Sequence, residues 1–70
     1  MYDLGARFKT VRLEQNRTQR QTAEGMGVTE RQYQNYEYGK KIPSALLLIR
    51  LADYFDVTLD YLVGRSDKPK

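Results

Sequence analysis

Seventy residues, 40% of them apolar and 30% charged, make one small globular domain rather than a disordered chain. The chain holds no cysteine and no histidine, which excludes disulfide staples, zinc sites built on nitrogen or sulfur, and Ser-His or Cys-His nucleophile pairs. The net charge is +3, and all of the excess falls early: residues 1–41 carry eight basic side chains against five acidic ones, residues 42–70 four against four.

The opening Met1-Tyr2-Asp3 is acidic and lacks the apolar core of an export signal, so a cytoplasmic protein is expected. Leu4, Phe8 and Val11 then fall at i, i+4 and i+7, predicting a first helix from about Asp3 to Gln15. Asn16, which tolerates the left-handed conformation, ends it. Thr18-Gln19-Arg20-Gln21 has the form of a capping box, a hydroxyl at the N-cap and an amide three residues on, and starts a second helix. Ala23 and Met26 face inward there, and Gly27 stops the helix. Thr29-Glu30-Arg31-Gln32 repeats the capping box two residues later. The third helix carries Tyr33 and Tyr36 on one side and ends at Gly39.

A looser turn, Lys40-Lys41-Ile42-Pro43, leads to Ser44, a good N-cap. Leu47, Leu48, Leu51, Ala52 and Phe55 form the broad stripe of a core helix. Its aliphatic run, Ala45 to Ile49, stops at Arg50, far short of the roughly 20 residues of a membrane span. Asp56-Val57 turns the chain, Thr58 caps, and Leu59 and Leu62 mark a short fifth helix ending at Gly64. Residues 65–70 read as a flexible tail. No segment alternates apolar and polar, so the fold class is all-α, a compact five-helix domain. With no glycine-rich phosphate loop and no paired inward carboxylates, neither an enzyme nor a cofactor or metal is expected.

Two capped helices joined by one glycine turn, over residues 18–38, define a helix-turn-helix. On the third helix Tyr33, Tyr36 and Glu37 share one side, leaving Glu30, Arg31, Gln34, Asn35 and Tyr38 away from it. That outward set matches base edges: arginine suits guanine, asparagine and glutamine suit adenine, and glutamate accepts from cytosine. Glu30 has a second explanation, because a carboxylate in a first turn is favoured by the helix dipole alone. Arg7, Arg17, Arg20, Lys40 and Lys41, with the N-terminal amides of the second and fourth helices, are candidates to hold phosphates. Tyr2, Tyr38, Tyr54 and Tyr61 read as packing or rim residues.

Leu4-Gly5, Arg12, Thr18-Gln19, Ala23, Gly27-Val28-Thr29, Tyr36-Glu37, Gly39-Lys40, Pro43-Ser44 and the ending Leu59-Asp60-Tyr61-Leu62-Val63-Gly64 together resemble the lambda-repressor-like, XRE-family (Cro-type) helix-turn-helix domain over about residues 4–64. The resemblance implies a domain that binds double-stranded operator DNA, usually as a homodimer. It implies that Gln19 touches a phosphate and supports a base contact, and that Thr29, Glu30 and Arg31 open the recognition helix. Gln34 and Asn35 match its later DNA-facing positions, and Lys40 a phosphate contact. Arg12 and Glu37 match a structural ion pair.

Four positions depart from the family pattern: Arg17 and Thr22 stand for apolar residues, Gly25 lies inside the second helix, and Tyr33 replaces a smaller aliphatic. They are expected to weaken the packing of the second helix. The C-terminal half around Tyr54, Tyr61 and Val63 is the expected dimer surface. The function expected is a sequence-specific transcriptional regulator, a repressor; the alternative is a protein-interaction module of the same fold, such as an antitoxin or a regulator antagonist.

Overall fold

The computed structural model describes residues 3–70; Met1 and Tyr2, to which the acidic opening and one of the rim tyrosines belong, lie outside the described residues. Five helices follow in order: α1 (Leu4–Glu14), α2 (Gln19–Met26), α3 (Glu30–Glu37), α4 (Ala45–Phe55) and α5 (Leu59–Leu62). No strand occurs among the described residues, so the protein is all-α.

Local hydrogen bonds set every helix boundary. Asp3 accepts the Ala6 N–H, Ser44 that of Leu47 and Thr58 that of Tyr61. Both capping boxes close reciprocally. Thr18 Oγ1 accepts the Gln21 N–H at 3.0 Å while Gln21 Oε1 accepts the Thr18 N–H at 2.9 Å. Thr29 and Gln32 do the same at 3.1 and 2.9 Å. Each cap contributes about 1 kcal/mol.

The stops are uniform as well. After each helix one residue turns left-handed: Asn16 (φ 57°), Gly27 (φ 78°), Gly39 (φ 79°), Asp56 (φ 57°) and Gly64 (φ 83°). The next N–H then reaches back five residues, as in Val28 to the Ala23 carbonyl at 3.0 Å, Val57 to Ala52 and Lys40 to Asn35. Gly27 matters most, because only one residue separates it from the cap of α3 and a side chain there would strain the joint.

The core runs between the helices through Phe8, Val11, Ala23, Met26, Tyr33, Leu51, Phe55 and Leu62. α2 packs on both α3 and α4, and α1 on α3 and α5. The stripe of α4 and the short α5 differ in how deeply their residues are buried. Leu59 is 41% exposed while Leu62 is fully buried, so α5 adds Leu62 alone to the buried core. Leu47 and Leu48 are half-buried at the edge of the stripe, leaving Leu51, Ala52 and Phe55 as its buried part.

The departures in and around α2 also turn out to fit one another, and the expected weakening of its packing is corrected. Tyr54 of α4 lies over Gly25, where a Cβ would overlap its ring. The Arg17 guanidinium stacks 4.3 Å from the centre of that ring, and its Nη1 donates to Tyr54 Oη at 2.8 Å. Arg17 Nε donates to Gln15 Oε1, and Gln15 Nε2 to the Phe55 carbonyl at 2.7 Å. Arg17 is thus a strut between the α1–α2 turn and α4. Thr22, fully buried, donates its hydroxyl proton to the Thr18 carbonyl at 2.9 Å. Tyr33, fully buried, fills the space a smaller side chain would leave. Residues 65–70 fold back on α5, where the Pro69 carbonyl accepts the Thr58 N–H at 2.8 Å.

Candidate nucleic-acid interface

α3 is held from one side only. Tyr33, Tyr36 and Glu37 are buried against the body of the domain. Arg12 of α1 grips Glu37 with two hydrogen bonds, Nη2 to Oε1 at 2.8 Å and Nε to Oε2 at 3.1 Å. Its remaining arm, Nη1, donates to the Arg17 carbonyl at 2.9 Å. One planar guanidinium therefore ties the end of α3 to the segment that starts α2, a fork geometry that lysine could not supply. The hydrogen bonds to Glu37 raise the Arg12 pKa against the opposing effect of burial, so the group is always charged. The Tyr33 hydroxyl is buried near this pair without a hydrogen-bond partner of its own. Burial first, and the Glu37 carboxylate second, push its pKa well above the ordinary tyrosine value.

The other side of α3 is bare. Glu30, Arg31, Gln32 and Tyr38 are exposed, and Gln34 and Asn35 half-exposed. Glu30 lies in the first turn, beside the positive end of the helix dipole. Thr29 is the N-cap, with its hydroxyl engaged by Gln32. Lys40 follows Gly39 in the loop and is exposed, its backbone N–H closing the end of α3 on Asn35 at 2.8 Å.

Two of the predicted residues, Gln19 and Gln34, meet directly: Gln34 Nε2 donates to Gln19 Oε1 at 3.2 Å. Gln19 Nε2 in turn donates to Tyr38 Oη at 3.2 Å. Arg31, Asn35 and Lys40 make no such side-chain bonds to the set. Beside the Gln19–Tyr38 contact lies an open cleft of about 490 Å³, lined by Lys9, Arg17, Thr18, Gln19, Arg20, Glu30 and Tyr38 together with the Arg12–Glu37 pair. Lys9 was missed as a candidate. Its spacing of three from Arg12 places both on one face of α1, and that was the signal available. Tyr38 was on the outward face but read as a rim residue; nothing local discloses its bond to Gln19.

Two short helices locked at a fixed angle by a three-residue joint, residues 27–29, the second anchored by its inner side and polar on its outer side, make a helix-turn-helix domain. The chain belongs to the helix-turn-helix family of the XRE, lambda-repressor-like type, which its residues 8–62 match. It is 31% identical over 67 residues to the HTH-type transcriptional regulator ImmR of Bacillus subtilis (strain 168), covering 96% of this chain and 53% of that protein. To the HTH-type transcriptional regulator AnsR of the same organism it is 39% identical over 60 residues, 86% of this chain and 52% of the relative. To the cryptic phage CTXphi transcriptional repressor RstR of Vibrio cholerae it is 36% identical over 50 residues, 71% and 45% respectively. The chain thus spans about half the length of these relatives. Among the described residues no helix is long and apolar enough to cross a membrane, and no three metal-ligating side chains gather in a group.

Proposed function

We propose that residues 4–64 bind double-stranded DNA with α3 in the major groove, and that the chain is a sequence-specific transcriptional regulator, a repressor, working in the cytoplasm without enzymatic activity, cofactor or metal. The observation that carries this reading is the outer face of α3. It presents Glu30 and Arg31 fully and Gln34 and Asn35 in part to solvent, on a helix anchored from behind. Base edges pair with this set: Arg31 with guanine, Gln34 and Asn35 with adenine, Glu30 with cytosine. Gln19, Thr29 and Lys40, with Lys9 and Arg20 in the adjoining cleft, are placed for the backbone. The Arg12–Glu37 pair holds the reading helix in place.

One domain of 28 × 25 × 21 Å makes few such contacts. A homodimer on two half-sites about 34 Å apart would double them. We keep the dimer surface in the C-terminal half around the half-buried Tyr54, Tyr61 and Val63, where Leu46, Ile49 and Leu59 are also exposed; Leu13 and Ile42 are the other exposed aliphatic side chains.

Selection of bound duplexes from a random pool at two salt concentrations tests the reading. A pair of enriched, symmetry-related half-sites is expected. Arg31→Ala is expected to relax the preference at one base pair by about 1–3 kcal/mol. Purified protein that enriches nothing, and binds no duplex even in dilute buffer, would overturn the assignment.

A further inference from the structure

Three polar side chains from two helices form one chain of hydrogen bonds. Gln34 Nε2 donates to Gln19 Oε1, and Gln19 Nε2 donates to Tyr38 Oη, both at 3.2 Å. Tyr38 is the C-cap of α3, 60% exposed, and its ring stands at the rim of the cleft shared with Lys9 and Arg20. A hydroxyl both donates and accepts, and each amide can present either end, so such a chain can run in two senses. In one sense Tyr38 accepts from Gln19. Its own proton is then released outward, and Gln34 turns an N–H toward Gln19 and leaves Oε1 on the far side. In the other sense every bond is reversed and Gln34 turns its oxygen inward. The structure holds the first sense, in which neither the Tyr38 proton nor Gln34 Oε1 has a partner among the described residues.

A phosphate oxygen breaks the tie, because a phosphodiester can only accept. A phosphate seated between Lys9 and Arg20 within reach of Tyr38 requires the tyrosine to donate to it. That in turn obliges Tyr38 to accept from Gln19, and Gln19 to accept from Gln34.

We infer that Tyr38 is a specificity-positioning residue: its hydroxyl donates to a DNA phosphate and, through Gln19, fixes the amide of Gln34 so that Oε1 meets a base donor, the exocyclic amino group of adenine or cytosine. This rests on the DNA-binding reading above. The coupling of backbone contact to base choice is thereby extended to Tyr38: its phosphate contact sets the polarity with which one base is read.

The test is Tyr38→Phe in the full chain, which keeps the exposed ring and removes only the hydroxyl. Thermal unfolding by circular dichroism is expected to match the parent. Binding to the parent's selected duplex should weaken by about ten- to hundredfold, the value of one hydrogen bond to a charged group. The salt dependence should keep its slope, since no cation is lost. The distinguishing readout is base preference. In a panel varying each base pair, Tyr38→Phe and Gln19→Ala should both flatten the preference at the position that Gln34→Ala erases, and leave the Arg31 position sharp. In the double variant Tyr38→Phe/Gln34→Ala the two losses at that position should not add. A Tyr38→Phe protein that binds its duplex but retains full preference at the Gln34 position overturns the inference and leaves the DNA-binding reading standing. A parent that selects no sequence overturns both.

Discussion

Tyr33 is the largest side chain fully withdrawn from solvent, and it carries a hydroxyl that finds no hydrogen-bond partner. Its pKa in the folded protein lies above its unfolded value, which is about 10. Stability is therefore intact below that pH and falls as the pH rises above it, because the unfolded chain releases a proton that the folded one keeps. The loss from this group is about 1.4 kcal/mol for each further pH unit. Tyr33→Phe removes both the ionisation and the unpaired group. Urea titrations at pH 7 are expected to show it about 1 kcal/mol more stable, with a smaller decline between pH 10 and 11 than the parent shows. A variant less stable than the parent at pH 7 would show that the hydroxyl is bonded after all. The neighbouring pair behaves oppositely. The Glu37 side chain is 1% exposed and wholly occupied by Arg12, so Glu37→Ala strands a buried cation and should cost about 3–5 kcal/mol in the same titration. Arg12→Met with Glu37→Leu, which removes both charges, should lose much less.

Between elements, α2 and α4 meet through a three-part fit. Glycine inside an exposed helix costs about 1 kcal/mol relative to alanine, yet at position 25 the missing side chain is where the Tyr54 ring lies. Alanine there should gain helix propensity and lose more to overpacking, a net destabilisation of about 1–2 kcal/mol. In a Tyr54→Ala background the ring is gone, and the same Gly25→Ala change should instead stabilise by up to about 1 kcal/mol. The reversal of sign, measured as a double-mutant cycle by chemical denaturation, is the check. Two destabilisations of equal size would show that Tyr54 does not occupy that space. Arg17 completes the fit by stacking on the ring, so its positive charge supports the structure.

At the scale of the molecule, the surplus of +3 is carried wholly by residues 1–41, the part that builds α1, α2 and α3. Affinity for duplex DNA should fall linearly in a plot of log K against log salt, by about 0.9 for each phosphate neutralised. Lys9→Gln and Arg20→Gln, both exposed at the cleft, should each lower that slope by about one. They should weaken all sequences alike. Arg65→Gln, exposed beyond α5 and outside the cleft, serves as the comparison. Equal slopes for all three variants would place the phosphate track elsewhere.

How much of this was legible depends on the range of the forces involved. Each helix limit is decided by bonds that close within a few residues: Thr18 with Gln21, Thr29 with Gln32, Val28 with Ala23. Short windows of sequence contain both partners, so the five helices, their order and the tight Gly27 joint followed from the chain alone. The outward face of α3 followed too, because Tyr33, Tyr36 and Glu37 fix its orientation by spacing. The pairings across elements did not. Gln19 meets Tyr38 nineteen positions away and Arg17 meets Tyr54 thirty-seven away. Those contacts depend on the angles at which helices pack, which the core sets as a whole. Arg17, Gly25 and Thr22 look like flaws one at a time, and only the folded arrangement shows that each occupies what another leaves. The exposure of Leu59 was settled the same way: spacing puts Leu59 and Leu62 on one face, and only the packing of the neighbouring helices shows that the core covers Leu62 and not Leu59.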